Sequence, residues 1–268
     1  TIGELVRRIR RQQMAVIVID DGSEDETASR AAREGALVIS HLRNQGKGRA
    51  LRTGFEHALR ARYDGVITMD GDGQHEPEEI PQLLRAGELQ HAGVVLGNRM
   101  GPGRSMPILR RWTNRLMSRI ISVLARQSIP DSQCGFRFIR KEVLESVLLR
   151  TAHFETETEL VLRAAARRWK IVSVPVRSIY LARKSHIRPV QDTLRFAMLL
   201  MRGGVLAMAP IVDMMSVKRR RKIYWPSWVA AGLSFAALII SFGGSSGLAM
   251  TVVAAVDNGE IRLEIEGR

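Results

Sequence analysis

The pattern of apolar and polar positions predicts buried strands separated by amphipathic helices over roughly the first hundred residues. Continuous runs rich in Val and Ile have the length and composition of strands buried on both faces, and they occupy 15–19, 36–40, 66–69 and 94–96. Helix-type spacing of apolar positions predicts helices at 2–12, 24–34, 49–62 and 77–89. Ser23 and Glu26 have the spacing of a capping box for the second helix. Strands that alternate with helices indicate a parallel α/β sheet.

The alternation becomes less regular after residue 98. Strands are predicted at 136–139 and 171–176, and helices at 107–126, 159–168 and 190–201. The long helix at 107–126 carries its apolar positions on one stripe and Arg111, Arg115 and Arg119 on another. A basic amphipathic helix of this kind either lies on a membrane surface or presents a solvated basic face above a packed core.

Residues 225–256 contain no charged side chain. This run is long enough for one membrane-spanning helix, with Trp225 and Trp228 as interfacial anchors and the basic residues 218–222 on the cytoplasmic side. The Gly- and Ser-rich residues 243–247 interrupt it, which would instead leave two shorter buried or re-entrant segments. With a spanning helix, the positive-inside rule places the main domain in the cytoplasm.

The formal net charge of +14 is concentrated in two segments. Residues 99–126 hold seven Arg and no acid, and residues 183–222 hold ten Lys or Arg and two Asp, so the remaining residues are together close to neutral. A protein that makes long contacts with nucleic acid would instead carry positive charge along most of its sequence. Aromatic residues, at 5%, are also too sparse for a base-stacking platform. The lone Cys134 excludes an internal disulfide and favours a reducing compartment, with the thiol serving for packing.

The sequence Asp70-Gly71-Asp72 directly follows a predicted buried strand. Ligands of open α/β sheets bind at the carboxyl ends of strands, and paired carboxylates can hold a divalent cation that also contacts a diphosphate. Gln74 and His75 follow within reach. A surface turn could have the same three residues, but their position directly after a buried strand favours a ligand site.

Two other loops are expected at the same edge of the sheet. Asp20 and Asp21 end the first strand, where an acid can accept a hydrogen bond from a base or a ribose hydroxyl. Lys47 lies in a Gly-rich loop that enters a helix, where a phosphate can bind. The spacing of this loop fits neither the Walker A nor the dinucleotide-binding pattern.

Seven motifs occur in order along the first 200 residues: DDGSEDET, NQGKGRAL, DGDGQHEPEEI, GNR, DSQCGFR, FETETEL and VPVRSIY followed by SHIRPV. Together they resemble the family 2 glycosyltransferases of GT-A fold. Within that family the chain is most similar to the polyprenyl-phosphate branch, which is dolichyl-phosphate mannose synthase-like. The resemblance implies an α/β fold whose mostly parallel sheet is covered by helices on both faces.

The expected domain organisation follows the resemblance and the apolar tail. The catalytic domain would occupy 1–190, followed by an amphipathic basic segment at 191–224. The hydrophobic, possibly membrane-spanning segment would occupy 225–256, and a polar tail 257–268.

The resemblance also implies roles for individual residues. Those expected to bind the nucleotide sugar are Asp20, Asp21, Lys47, Asp70 and Asp72, and those expected to hold Mg²⁺ or Mn²⁺ are Asp70, Asp72 and Gln74. The expected catalytic residues are Asp72, Arg99, Arg137, Glu157 and Glu159. The expected ligands of the acceptor phosphate are Arg111, Arg137, Ser185, His186 and Arg188, although eukaryotic-like members have lysine at the position of His186.

The chain departs from the family pattern at its start. Members begin with a strand that carries a P-x-x-N-E-type motif, whereas this sequence begins at the following helix. We expect an N-terminally truncated domain, which leaves the activity of this particular chain open. The loss of an internal strand would leave unpaired backbone edges on both neighbouring strands.

The expected activity is metal-dependent transfer of a sugar, with inversion, from a nucleotide-sugar donor to a polyprenyl phosphate such as undecaprenyl or dolichyl phosphate. The enzyme would work at the cytoplasmic face of a membrane, such as a bacterial inner membrane, in contact with anionic lipid and not with nucleic acid. A family 2 transferase acting on a polysaccharide, glycolipid or protein hydroxyl is a second hypothesis. An inactive basic module that binds membrane or nucleic acid is a third.

Overall fold

A computed structural model describes residues 2–101, 106, 108–151, 155–177 and 250–256. In chain order its helices are α1 (Ile2–Arg10), α2 (Thr27–Arg33), α3 (Lys47–Arg60), α4 (Ile80–Leu89, preceded by a 3-10 turn at Pro77–Glu79), α5 (Ile108–Ala125), α6 (Lys141–Ser146) and α7 (Glu155–Ala166). Its strands are β1 (Ala15–Asp20), β2 (Leu37–Ser40), β3 (Gly65–Asp70), β4 (Val94–Asn98), β5 (Arg137–Arg140), β6 (Ile171–Pro175) and β7 (Met250–Val256).

The described strands form one mixed sheet in the order β2-β1-β7-β3-β5-β4-β6. The pairs β1–β2 and β4–β6 are parallel, and the other four pairs are antiparallel. The prediction of a mostly parallel sheet is therefore wrong for the pairing. The prediction is nevertheless right for the direction of most strands. Five of the seven described strands run the same way and have their carboxyl ends at one edge, and only β5 and β7 run opposite to them.

Helices cover both faces of the sheet, as predicted. On one face α1, α2 and α4 pack in a cluster that includes Val6 and Ile9 against Val16 and Val18 of β1. On the other face α3, α5, α6 and α7 pack against the alternate side chains of the same strands, such as Ile17. This alternation explains why the strands appear in the sequence as unbroken apolar runs.

The centre of the sheet contains the largest departure from the expectations. Strand β7 lies antiparallel between β1 and β3, pairing Ile17 with Val253 and Ile67 with Ala254. The edges expected to be unpaired are therefore both paired. The apolar run at 250–256 also forms a sheet strand and not the end of a membrane helix. An uncharged, Val-rich segment suits either environment, so composition alone could not separate them.

Two local predictions need correction. Ser23 does not cap α2, which begins at Thr27 and has no side-chain cap from its N-cap residue Glu26. Instead the Ser23 amide donates to Asp20 Oδ1, at 3.0 Å, and the Thr27 amide donates to Asp25 Oδ1. The short helix α6 follows β5 directly and was not predicted.

Within the part of the chain that the structure describes, no helix is both long and apolar enough to cross a bilayer. The predicted segments at 191–224 and 257–268, and residues 225–249 of the hydrophobic segment, lie outside the described residues.

Candidate active site

The loop after β1 is bonded to the segment that precedes α3. Both oxygens of the Asp21 carboxylate accept backbone hydrogen bonds, Oδ1 from Gln45 at 2.9 Å and Oδ2 from Gly46 at 2.7 Å. Asp20 and Asp21 are both buried. Gly46 is the N-cap residue of α3, so Asp21 fixes the start of the helix whose first residue is Lys47.

His41 completes this arrangement and was missed by the sequence reasoning. Its Nδ1 lies 2.6 Å from Asp21 Oδ1, and its Nε2 lies 3.0 Å from the Thr53 hydroxyl. The imidazole therefore links the loop after β1 to the body of α3. No motif indicates this role, because it depends on β2 placing His41 beside a residue twenty positions earlier.

Lys47 connects three of the sequence motifs. Its Nζ lies 2.5 Å from Asp70 Oδ1 and 3.3 Å from Glu157 Oε1. Burial alone would lower the pKa of Lys47, but attraction to the two carboxylates outweighs it and raises that pKa. Burial likewise would raise the pKa of Asp70, but Lys47 holds it at about 2. Both groups are therefore charged at neutral pH.

The loop after β3 is open where the loop after β1 is closed. Asp72 Oδ1 accepts a hydrogen bond from the Gln74 amide at 3.0 Å. Gly73 adopts φ +75°, and a Cβ at that position would meet no atom within 4 Å. Asp72 and Gln74 are partly exposed. Their carboxylate and amide oxygens are the hard donors that Mg²⁺ and Mn²⁺ prefer.

This donor set is small. Among the described residues, no three His, Cys, Asp or Glu side chains gather as a group that could hold a metal ion. Asp70, the third predicted ligand, points its Oδ1 at Lys47. Asp72 and Gln74 therefore fit a cation that completes its coordination with oxygens of a bound ligand, as Mg²⁺ commonly does with phosphates.

Arg137 is the most deeply buried large side chain of the site. Its guanidinium donates to the carbonyl oxygens of Cys134 at 2.7 Å, Glu157 at 2.7 Å and Ser132 at 3.0 Å. Its Nη2 also lies 4.0 Å from Glu157 Oε1. The side chain therefore ties the loop before β5 to the first turn of α7, and with Lys47 it surrounds Glu157 with positive charge.

Glu159 lies apart from this cluster, although the sequence placed it beside Glu157. Its Oε2 accepts from the Arg150 and Thr151 amides at 2.9 Å, and its Oε1 accepts from Arg163 Nε at 2.7 Å. Residues two apart on a helix face roughly opposite directions, so α7 can present only one of the two acids to the site. Glu159 instead anchors the loop before α7.

Arg99 and Arg111 both bond to the protein itself. Arg99 forms a two-bond pair with the buried carboxylate of Asp131, Nε to Oδ2 at 2.8 Å and Nη2 to Oδ1 at 3.1 Å. Asn114 donates to the same carboxylate at 2.9 Å. Arg111 donates to the carbonyl oxygens of Met100 and Gly101.

Asp131 therefore organises the side of the site formed by β4 and α5. Burial would raise its pKa, but Arg99 outweighs this effect and lowers it. Asp131 begins the motif DSQCGFR, in which only Arg137 was predicted to have a role. No signal in the sequence indicates this role, because Asp131 meets Arg99 only through folding, 32 positions apart along the chain.

Two further groups lie behind the site. His75 is buried, which lowers the pKa of its imidazole to about 4 despite the attraction of Asp70, and the ring lies 5.3 Å from the Phe136 ring. Burial raises the pKa of the Cys134 thiol to about 12. A thiol of this kind is not a nucleophile at neutral pH, in keeping with its predicted packing role.

The described residues thus bring Lys47, Asp70, Glu157 and Arg137 together at the carboxyl edge of the sheet, with Asp72 and Gln74 on the adjoining open loop. Fixed cations beside an oxygen-lined loop can bind a diphosphate and stabilise it as it leaves. Ser185, His186 and Arg188 lie outside the described residues.

Comparisons with known proteins agree with this arrangement. The sequence pattern of the glycosyl transferase family 2 matches residues 1–148. The chain is 31% identical to an undecaprenyl-phosphate mannosyltransferase of Micrococcus luteus over 175 residues, 60% of this chain and 70% of the relative. It is 28% identical to a UDP-N-acetylglucosamine–dolichyl-phosphate N-acetylglucosaminyltransferase of Methanococcus voltae over 187 residues, 62% of this chain and 74% of the relative.

Solved structures show the same fold. The glucosyl-3-phosphoglycerate synthase of Mycobacterium tuberculosis superposes with a TM-score of 0.56 at 23% identity, covering 76% of each chain. The same enzyme in complex with Mn²⁺, UDP-glucose and phosphoglyceric acid gives a TM-score of 0.52 at 22% identity, covering 70% of this chain and 68% of that one. The family pattern spans more than half of the sequence, so the chain belongs to glycosyl transferase family 2 and is a glycosyltransferase.

Proposed function

We propose that this protein transfers a sugar from a nucleotide-sugar donor to a polyprenyl phosphate. The observation that carries the proposal is the position of Lys47, within 3.3 Å of acids from two separate motifs at the carboxyl edge of the sheet. This contact assembles a charged site from three of the motifs on which the resemblance to the family rests. The names of the relatives, which act on undecaprenyl and dolichyl phosphates, support the class of acceptor.

Asp72 and Gln74 are the proposed ligands of Mg²⁺ or Mn²⁺. A divalent ion bound there supplies positive charge to the donor diphosphate as it leaves. Lys47 contributes a fixed positive charge at the same edge, because Asp70 and Glu157 hold its ammonium in one place. Asp20 and Asp21 shape the nucleotide side of the pocket, since Asp21 holds the loop that precedes Lys47.

The state of the two candidate bases favours a phosphate acceptor over a hydroxyl acceptor. Glu157 is held between Lys47 and Arg137, and Glu159 is occupied by Thr151 and Arg163. A sugar or protein hydroxyl needs a base to remove its proton, whereas a polyprenyl phosphate is already anionic at neutral pH. Its oxygen can attack the anomeric carbon directly while the bond to the diphosphate breaks, which inverts the configuration at that carbon.

A lipid acceptor places the reaction at a membrane. We propose that the catalytic domain lies on the cytoplasmic side, where nucleotide sugars are available. The concentration of positive charge in residues 99–126 and 183–222 supports contact with anionic lipid.

The test incubates membranes that contain the full chain with a panel of labelled nucleotide sugars and polyprenyl phosphate, with and without a chelator. The expected product is extractable into organic solvent, releases its sugar in mild acid and disappears with the chelator. Label in a polysaccharide or protein fraction would instead support the hydroxyl acceptor. A product that retains the anomeric configuration of the donor would exclude a single displacement.

The non-enzymatic alternative has a separate test. Metal-dependent binding of a nucleotide sugar that is lost in Asp72→Ala supports the enzyme. Salt-sensitive binding of DNA that is unchanged in this variant, together with no nucleotide-sugar binding, would support a basic binding module.

A further inference from the structure

The outward face of α5 combines apolar and basic side chains. Trp112 is 65% exposed and Val123 is 76% exposed, and between them Arg115 and Arg119 are also exposed. Their spacings of three, seven and eleven residues from Trp112 place all four on one stripe of an α-helix. These four residues form the outward face of α5.

The opposite side of α5 is fixed to the domain. Met117 is 2% exposed and Ile121 is fully buried, and Asn114 donates to the buried carboxylate of Asp131 at 2.9 Å. Ser118 accepts a hydrogen bond from the Ser132 amide at 2.9 Å. The helix is therefore held in one orientation, and the outward face is presented by a rigid element.

The composition of the outward face distinguishes among the partners that could cover it. A face that serves solubility would mix both signs of charge, yet residues 99–126 contain no acid. A nucleic-acid site would not gain from an exposed valine beside the arginines. Bilayer interfaces favour this combination, because Trp lies at the headgroup level while Arg contacts lipid phosphates.

We infer that the outward face of α5 docks on the surface of an anionic bilayer. Trp112 and Val123 enter the boundary between headgroups and acyl chains, and Arg115 and Arg119 contact lipid phosphates. The two apolar residues are separated by about 16 Å along the helix axis, so the helix lies flat in the interface. This inference deepens the proposed function, because Arg111, an expected ligand of the acceptor phosphate, lies on the same helix.

The first experiment measures binding of the purified full chain to phosphatidylcholine vesicles with and without phosphatidylglycerol. The variant Arg115→Gln with Arg119→Gln should reduce binding to the anionic vesicles by about tenfold or more, because it removes two side chains that each contact a lipid phosphate. The matched control is Arg10→Gln with Arg11→Gln, which removes the same charge from exposed positions at the end of α1 and directly after it, on the other face of the sheet. The control should change binding by less than about twofold.

The second experiment measures contact directly. Lipids brominated near the headgroup quench tryptophan fluorescence when an indole enters the interface. The quenched fraction should fall in Trp112→Phe and should not fall in Trp169→Phe, because Trp169 is held inside the domain by a hydrogen bond to Ser146. Equal quenching in both variants would overturn the inference.

Other outcomes have defined meanings. Equal losses in the two arginine variants would show that net charge alone drives binding, and unchanged binding in both would assign it to another segment. Both results overturn the inference, as would a dimer that dissociates in Arg115→Gln with Arg119→Gln while vesicle binding is unchanged. Vesicle binding needs no nucleotide sugar, and transfer to a short acceptor in detergent needs no vesicle, so this inference and the proposed function can fail separately.

Discussion

Two acidic loops at the same edge of the sheet have similar sequences and opposite surroundings. The loop after β1 contains Asp20, Asp21 and Gly22, and the loop after β3 contains Asp72 and Gly73. Both glycines adopt nearly the same left-handed backbone, with φ +76° and +75°. A Cβ at Gly22 would lie 2.7 Å from the Asn44 amide nitrogen, whereas a Cβ at Gly73 would meet nothing within 4 Å.

The difference shows that an acidic motif does not by itself indicate what its carboxylates bind. The first loop uses the buried Asp21 to hold its own chain, whereas in the second Asp72 is partly exposed, so that a ligand can approach it. Substitutions in the loop after β3 should therefore affect mainly catalysis, and substitutions in the loop after β1 should affect mainly stability.

The largest expected effect is on catalysis, in Asp72→Asn. Loss of a negative ligand at the open loop should lower the transfer rate by about 10²- to 10³-fold while changing the free energy of unfolding by less than about 0.5 kcal/mol. Transfer kinetics and urea unfolding measure the two quantities. Asp25→Asn, in the closed loop, is the control and should leave the rate unchanged. A rate near that of the wild type in Asp72→Asn would remove the distinction between the loops.

The glycines provide a matched structural comparison. Gly73→Ala should destabilise the fold by about 1 kcal/mol, the cost of a left-handed backbone at a residue with a Cβ. Gly22→Ala should cost about 3 kcal/mol, because the same strain is joined by overlap with backbone atoms that cannot move aside. Urea unfolding of both variants checks the order. Equal costs would mean that the first loop yields to the added methyl group.

Asp21→Asn tests whether the closed loop is held by its carboxylate. The amide keeps the shape but replaces one of two acceptor oxygens with a donor, so we expect a loss of about 2 kcal/mol in the free energy of unfolding. Asp20→Asn is the control and should cost about 1 kcal/mol or less, which is the contribution of the hydrogen bond that its Oδ1 accepts from the Ser23 amide. A larger cost at Asp20 than at Asp21 would contradict this account.

The smallest effect concerns acid stability at the entrance to the open loop. The folded pKa of Asp70 is about 2, below its model-peptide value near 3.8, so its pairing with Lys47 stabilises the fold above about pH 4. That contribution disappears as the pH falls from about 4 to about 2. It should amount to about 1 kcal/mol, because the Asp70 side chain is 30% exposed and screened by solvent. The pH dependence of urea unfolding should be shallower over this range in Asp70→Asn than in the wild type.

The elements that local pattern determines could be predicted, and those that depend on distant partners could not. β1 and β3 were predicted to within one residue at each end, because a strand buried on both faces appears as an unbroken apolar run. The placement of Asp70 and Lys47 followed from the shared direction of the strands. His41 and Asp131 were missed, since each acquires its role from a partner brought close only by folding. Glu159 was assigned to the site because its neighbour Glu157 belongs there, and helix geometry separates the two.

The antiparallel strand β7 has a consequence for the order of folding. Ala15 pairs with Ala255, and Gly65 pairs with Val256, so the middle of the sheet joins segments separated by about two hundred residues or more. Contacts between such distant segments carry a high loop-closure cost and slow the search for the native topology. During synthesis, β1 and β3 leave the ribosome long before β7 exists. Until β7 is made, the edges of β1 and β3 that it pairs with have no strand between them, and the acidic loops that follow β1 and β3 cannot acquire their final spacing.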